Sequence, residues 1–288
     1  MRILALQAIG VEGVPDGDYS FADASGAPAD VVVVSGAVAS GKTRLLELLL
    51  LIREIIAPTN DEADEEAWVR LGGSSARVIV TFWLDERERK KLGYATAPVV
   101  VETVLGGDPE LVAKVEPDPG LCFLLESYDH TAETIKLEYF AEGRQLDVGG
   151  GTIALEPQSQ KPYRTSKDPR KFAFIPEFLR SLDGDKDRRE RFERLMRVFS
   201  PALTLDRLRA GLSTLSSSER DALVLSAVPS LVTLARSIVL VDRPDLYIRD
   251  EASVLRGLFS LGPSNQLFVT SYSPQLFRAA ESRALIEL

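Results

Sequence analysis

The segment Gly36-Ala37-Val38-Ala39-Ser40-Gly41-Lys42-Thr43 places two glycines, a lysine and a hydroxyl in the spacing G-x-x-x-x-G-K-[ST]. A loop of this kind wraps a polyphosphate in backbone N–H groups at a helix N-terminus. Lys42 would neutralise charge on the β and γ phosphates, and Thr43 would offer its hydroxyl to Mg²⁺. From average residue frequencies, a chance match in a chain this long arises about once in a hundred. The bland alternative is a glycine turn with an incidental Lys-Thr pair. The flanks argue against it. Val31-Val32-Val33-Val34 immediately before the loop has the pattern of a strand buried on both faces. Residues 42–56 follow as a helix that is apolar nearly all round. ATP with Mg²⁺ is therefore the expected ligand of Gly36, Ala37, Val38, Ala39, Ser40, Gly41, Lys42 and Thr43.

Magnesium at such a loop needs a carboxylate at the end of a neighbouring buried strand. Ile238-Val239-Leu240-Val241-Asp242 supplies four apolar residues and then the acid, so Thr43 and Asp242 are the expected metal-side ligands. Ahead of that strand lies Leu215-Ser216-Ser217-Ser218-Glu219-Arg220, followed by a helix over residues 221–235. At this point the sequence resembles the ABC-type P-loop ATPases of the SMC, RecF and OLD-like branch, a subset of the AAA family ATPases. There a signature similar to L-S-S-G-E opens a helix leading into the Walker B strand. Ser216, Ser217, Ser218 and Glu219 align with it, and the 25 residues from Ser217 to Asp242 suffice for helix, turn and strand. Arg243-Pro244-Asp245-Leu246-Tyr247 resembles the family's E-P-E-x-x-L segment, and Val269-Thr270-Ser271-Tyr272-Ser273-Pro274 its T-x-H-S-P switch. Phe172-Ala173-Phe174-Ile175-Pro176 is similar to the strand that ends the inserted β lobe and enters the Q-loop.

The resemblance implies an α/β P-loop NTPase fold of the ABC-ATPase head type. Its central sheet would be mostly parallel, with an inserted antiparallel β lobe and a helical signature lobe. Residues 1–58 and 212–288 would form the ATPase core, 59–171 the β-rich lobe and 172–211 the signature lobe. It also implies that a partner's signature serine and glycine contact the γ-phosphate, so that two subunits close over two ATP molecules.

The departures from the family pattern fall on catalytic positions. Arg243 stands where a glutamate orients the attacking water. A guanidinium stays protonated and has no acceptor, so it cannot act as a general base. Tyr272 stands where a histidine approaches the γ-phosphate; a phenol donates a hydrogen bond without a histidine's titration. Ser218 replaces the signature glycine, Val38 and Ala39 occupy loop positions usually filled by Asn and Gly, and the Q-loop position falls near Pro176-Glu177. With Lys42, Thr43 and Asp242 retained, the pattern suggests a subunit that binds Mg-ATP and hydrolyses it slowly or not at all alone. In a competing reading Asp245, Asp250 or Glu251 takes over the missing carboxylate. Arg243 itself has a bland reading as an ion-pair partner of one of those acids.

The elements that position these residues read as an alternation at both ends of the chain. Strands are expected at 2–11, 18–21, 30–35, 237–241, 266–271 and 283–287, with helices at 42–56, 217–235, 250–261 and 274–280. Such alternation implies that both ends join in one parallel sheet covered on both faces. Between them, short β-type runs at 76–84, 97–105, 111–115, 121–126, 134–139 and 151–155 suggest the antiparallel insert. Residues 172–175 read as a strand, and a mostly helical region runs from Pro176 to about 210.

Composition bounds the remaining possibilities. The 288 residues carry 34 Lys and Arg against 43 Asp and Glu, a net charge of −9. Residues 161–209 alone hold 14 Lys and Arg against 8 Asp and Glu, so a net +6 segment sits in a remainder of −15. That segment reads either as a patch for DNA, RNA or an acidic partner, or as a solvated helix laced with ion pairs. One cysteine, Cys122, and one histidine, His130, exclude a disulfide framework and a cysteine- or histidine-cluster metal site. The first residues read as a strand and not as a signal peptide, and the most apolar run, 45–56, is broken by Glu47, Arg53 and Glu54. A soluble cytoplasmic protein is expected, partnered by a second copy or a related effector subunit. The alternatives are an active ATPase acting on DNA or RNA, and a scaffold that keeps only the fold.

Overall fold

The computed structural model describes residues 1–58, 75–95, 98–106, 119–144, 146, 151–246, 251–272 and 281–288. The strands are β1 (Arg2–Ile9), β2 (Gly17–Ser20), β3 (Val31–Ser35), β4 (Ser75–Trp83), β5 (Val99–Gly106), β6 (Leu137–Phe140), β7 (Ile238–Val241), β8 (Gln266–Ser271) and β9 (Arg283–Glu287). The principal helices are α1 (Lys42–Ile56), α2 (Glu86–Leu92), α3 (Pro119–Glu126), α4 (Ile175–Ser181), α5 (Lys186–Phe199), α6 (Leu205–Arg209), α7 (Ser217–Leu231) and α8 (Glu251–Ser260). The architecture is α/β. The chain forms two compact units, Met1–Ser127 with Gln266–Leu288, and Tyr128–Asn265.

In the first unit β3 lies between β8 and β9, parallel to both. Every residue of β3 and β8 is buried, as continuous apolar runs in parallel strands require. A separate antiparallel sheet has the order β2-β1-β4-β5. It alternates instead, with Ala76, Val78, Val80 and Phe82 of β4 pointing inward beside Ile3, Leu6 and Ala8 of β1. The β1–β4 register slips between Ile3 and Ala5. There the buried side chain of Gln266 accepts from Ile3 N (2.7 Å) and donates to Ile3 O (2.8 Å), satisfying backbone groups that a core must not leave unpaired.

In the second unit β6 runs parallel to β7. Helix α5 packs on α7 and α8. Phe178 and Phe192 meet edge to face at 5.3 Å, and Phe174 meets Phe178 at 6.3 Å. Among the described residues, no helix is long and apolar enough to cross a membrane.

Three expected strands are not strands. Residues 121–126 belong to α3, because Leu121, Leu124 and Leu125 recur at helical spacing and share one buried face. Residues 172–175 close a 3₁₀ turn (Pro169–Phe172) and enter α4; Pro169 and Pro176 sit at the first or second helical positions, where proline's fixed φ favours a helix start. An apolar run buried on all sides has no period to tell strand from helix. Residues 151–154 are irregular, held in part by Gln160, whose side-chain amide donates to Ala154 O. The runs at 76–84 and 97–105, expected in a separate insert, extend the sheet begun by β1 and β2. The run at 134–139 is represented by β6, beside β7. Helix α2 was not anticipated, although Asp85-Glu86-Arg87-Glu88 spells a capping box, formed in both directions between Asp85 and Glu88. The expected strand at 111–115 and helix at 274–280 lie outside the described residues.

Candidate functional site

Strand β3 ends at Ser35, in register with Ser271 of β8 and Glu287 of β9. The chain leaves it through Gly36 at φ +150 and enters α1 through Gly41 at φ +100. A Cβ at Gly36 would lie 2.3 Å from Leu288 O and 2.6 Å from Ser40 Oγ; one at Gly41 would lie 2.4 Å from Gly13 O. Both positions therefore exclude every side chain on two counts, space and backbone conformation. Ala39 also adopts a positive φ of 63. The result is a tight arch between a buried strand and a buried helix, with Val38 78% exposed at its crest.

Lys42 is the first residue of α1 and only 6% exposed. Its Nζ donates to Gly36 O (3.0 Å), Ala37 O (2.5 Å) and Ser40 Oγ (3.4 Å), so the arch closes on its own lysine. The Tyr272 ring, one residue beyond β8, has its centroid 4.3 Å from the same ammonium. No acidic residue occupies the first turn of α1, and Gly41 gives it no side-chain cap. The positive pole of the helix thus adds to Lys42 to favour an anion at the arch. The glycines let the carbonyls of Leu288 and Gly13 close against the arch. Thr43, next to Lys42 in α1, is half-buried.

In the second unit Asp242 follows β7 directly and is 1% exposed, its N–H donating to Phe140 O at 2.8 Å. The carbonyls of this segment are gripped by Arg144. Its Nη1 donates to Asp242 O (3.0 Å) and Ala141 O (3.2 Å), its Nη2 to Arg243 O (3.3 Å), and its Nε to the Asp221 carboxylate. The Arg144 and Asp221 side chains are both wholly buried. Arg243 adopts φ +51 and faces two acids, Asp245 at 3.3 Å and Glu142 at 3.5 Å. The ion-pair role is therefore present for Arg243, and Asp245 is one of the acids that fill it. Asp250 and the side chain of Glu251 lie outside the described residues.

The segment Ser216-Ser217-Ser218-Glu219 forms the exposed start of α7. Ser216 caps the helix by accepting from Glu219 N (3.3 Å), and its own N–H donates to Glu219 Oε2 (2.7 Å). These bonds, with Arg207 nearby, hold the Glu219 carboxyl below the usual carboxylate range. Ser217 and Ser218 are exposed. Pro176 and Glu177, where the Q-loop was expected, sit in the first turn of α4, and Glu177 pairs with Arg180 at 2.9 Å. Arg144, Asp221 and Glu142 were missed from the sequence. Arg144 and Asp221 are 77 residues apart, and no local spacing connects them.

Cys122 and His130 take structural places. The Cys122 thiol donates to Ile56 O at 3.1 Å. His130 lies edge to face with Tyr128, and burial beside Arg164, Arg188 and Lys136 pushes its imidazole down to about 4. Within the basic segment, many cations have acidic neighbours: Arg170–Asp168, Arg180–Glu177, Lys186–Glu190, Arg188–Asp185 and Arg209–Asp183. Lys171 and Arg164 are buried against Glu138.

No family model matches the chain, and no curated protein matches it. Solved structures similar to it include an SMC head domain from Thermotoga maritima, at 14% identity and TM-score 0.49, covering 99% of this chain and 94% of that one. The recombination mediator protein RecF of the RecFOR pathway, solved with ATP, gives 12% identity and TM-score 0.48, covering 99% and 96%.

Proposed function

We propose that this chain is an ABC-type ATPase subunit in which Mg-ATP drives association with a second copy or a related subunit, with weak or absent hydrolysis by the chain alone. The observation that carries the reading is the arch from Gly36 to Thr43. Two glycines let it turn tightly against the carbonyls of Leu288 and Gly13, and a buried lysine is held by the loop's own carbonyls. A bound nucleotide would supply the negative charge that Lys42 and the α1 terminus attract, with Mg²⁺ held by Thr43 and Asp242. Arg243 and Tyr272 supply neither a carboxylate nor an imidazole at the positions that the family resemblance assigns to hydrolysis. Residues 216–219, exposed and internally capped, are the surface we assign to the partner's nucleotide.

Calorimetric titration of the purified chain with Mg-ATP tests the binding step. Micromolar or tighter binding, lost in Lys42→Ala, is expected, with turnover near background. Ordinary turnover abolished by Lys42→Ala would overturn the impaired-hydrolysis part alone. A second reading, an active ATPase working on nucleic acid, draws on Asp245 and Glu142 beside Arg243. Turnover stimulated by duplex DNA would favour it.

A further inference from the structure

We infer that Arg144 is a positioning residue for Asp242 and that Asp221 sets the place of Arg144, so that the metal-side carboxylate takes its position from the helix that begins at Ser217. The inference rests on the nucleotide reading above and asks what aims Asp242 at a cation. All of these residues belong to the second unit. Three pieces of chain meet at one guanidinium. Arg144 donates to Ala141 O beyond β6, to Asp242 O and Arg243 O beyond β7, and to the Asp221 carboxylate in α7. The Asp242 N–H donates to Phe140 O at 2.8 Å. Both backbone hydrogen-bonding groups of Asp242 are thus engaged, one by β6 and one by Arg144, which fixes where its side chain leaves the backbone. The next residue shows how firm the hold is. Arg243 keeps φ +51, a costly conformation for a long side chain, while Arg144 Nη2 grips its carbonyl at 3.3 Å.

Stability alone does not call for this arrangement. Apolar side chains of similar volume generally match or better a buried ion pair, and what the pair adds here is a fixed geometry. A guanidinium suits that task, because its planar fork reaches several acceptors at once. Its place depends in turn on Asp221, one turn beyond Ser217 on α7. A helix moves as a rigid piece, so a partner that engages residues 216–219 would act on Asp242 through Asp221 and Arg144.

The test compares wild type, Arg144→Lys, Asp221→Asn and the double variant Arg144→Met, Asp221→Leu. Each is titrated calorimetrically with ATP in Mg²⁺ and in EDTA, and each is unfolded in urea. The readout is the ratio of the two affinities, which is the gain from the metal. Groups that orient a metal ligand matter about ten- to a hundred-fold to metal affinity, so a gain lowered about ten-fold is expected in all three variants. Affinity in EDTA should stay at the wild-type value, because Lys42 and the arch are untouched. The double variant separates position from stability, since it should regain urea resistance over Asp221→Asn and still keep the lowered gain. If it does not fold, Arg144→Lys, which retains a charge for Asp221 but not the fork, carries the same comparison. A gain that recovers together with stability, or a wild-type gain in every folded variant, overturns the inference. Wild type that binds ATP equally well with and without Mg²⁺ overturns it too, by removing Asp242 as a metal-side ligand. Wild type that binds ATP in neither medium refutes the nucleotide reading itself, a result distinct from all of these.

Discussion

A buried guanidinium must have its charge matched and its donors used, and Arg144 has both. Its ion pair joins the second turn of α7 to the carbonyls of Asp242 and Arg243. It thereby holds the segment after β7 against the helix that displays Ser217 and Ser218. Asp221→Ala leaves that charge buried and unmatched, and a loss of about 3–5 kcal/mol in urea unfolding is expected. The double variant Arg144→Met, Asp221→Leu should recover much of it, since apolar groups of similar volume replace a buried pair at little cost. His130 offers a cleaner readout, because it is the single histidine. Its folded pKa lies at about 4, below the reference value of 6.5. The unfolded chain thus binds a proton that the folded chain refuses between these values. The contribution to stability is whole above about 6.5 and declines as pH falls toward 4. The lone imidazole resonance in a proton NMR titration should remain neutral through pH 5; a midpoint near 6.5 would show that the ring is not sheltered.

At the scale of elements, the arch depends on its glycines more than on any contact. Gly41→Ala forces a Cβ to 2.4 Å from Gly13 O at φ +100. The expected cost is about 1–3 kcal/mol in unfolding, together with loss of Mg-ATP binding, while Gly93→Ala, also at positive φ but in open space, should lose stability alone. This arch was legible because the chemistry is local: eight consecutive residues carry the loop, and the valines before it state burial on both faces. The helix start at Ser217 was legible for the same reason. The place of β6 beside β7 was not, since the strand expected at 134–139 was assigned to the antiparallel insert. Residues 172–175 offered four apolar positions and no period, and β6 contains Glu138, a carboxylate whose burial in a parallel sheet no local pattern signals. Its burial makes sense only with Lys171 at 2.9 Å, a partner 33 positions away. Arg144 stayed hidden for a like reason, since its partners are an acid and three carbonyls assembled by tertiary folding.

For the whole molecule, the net charge of −9 averages unlike parts, and the structure explains how the basic part is held. Residues 161–209 spend much of their cationic charge on their own acids, through pairs such as Arg188–Asp185 and Arg209–Asp183. Exposed pairs of this kind contribute little stability, and they also leave less charge to release counterions from a phosphate backbone. The arch belongs to the first unit and residues 216–219 to the second, so each chain carries one of each. On the proposed function, two copies would complete two nucleotide sites by a closed, two-fold exchange. The start of α7 is exposed and capped by its own side chains. Light scattering should therefore report a monomer in the absence of nucleotide and a doubled mass with Mg-ATP. Ser217→Glu places a carboxylate where a phosphate is to be met. It should abolish the doubling while leaving calorimetric binding of Mg-ATP to the monomer intact. A monomer that persists in saturating Mg-ATP would remove the second copy as the partner, and a Ser217→Glu chain that still doubles would move the contact away from α7.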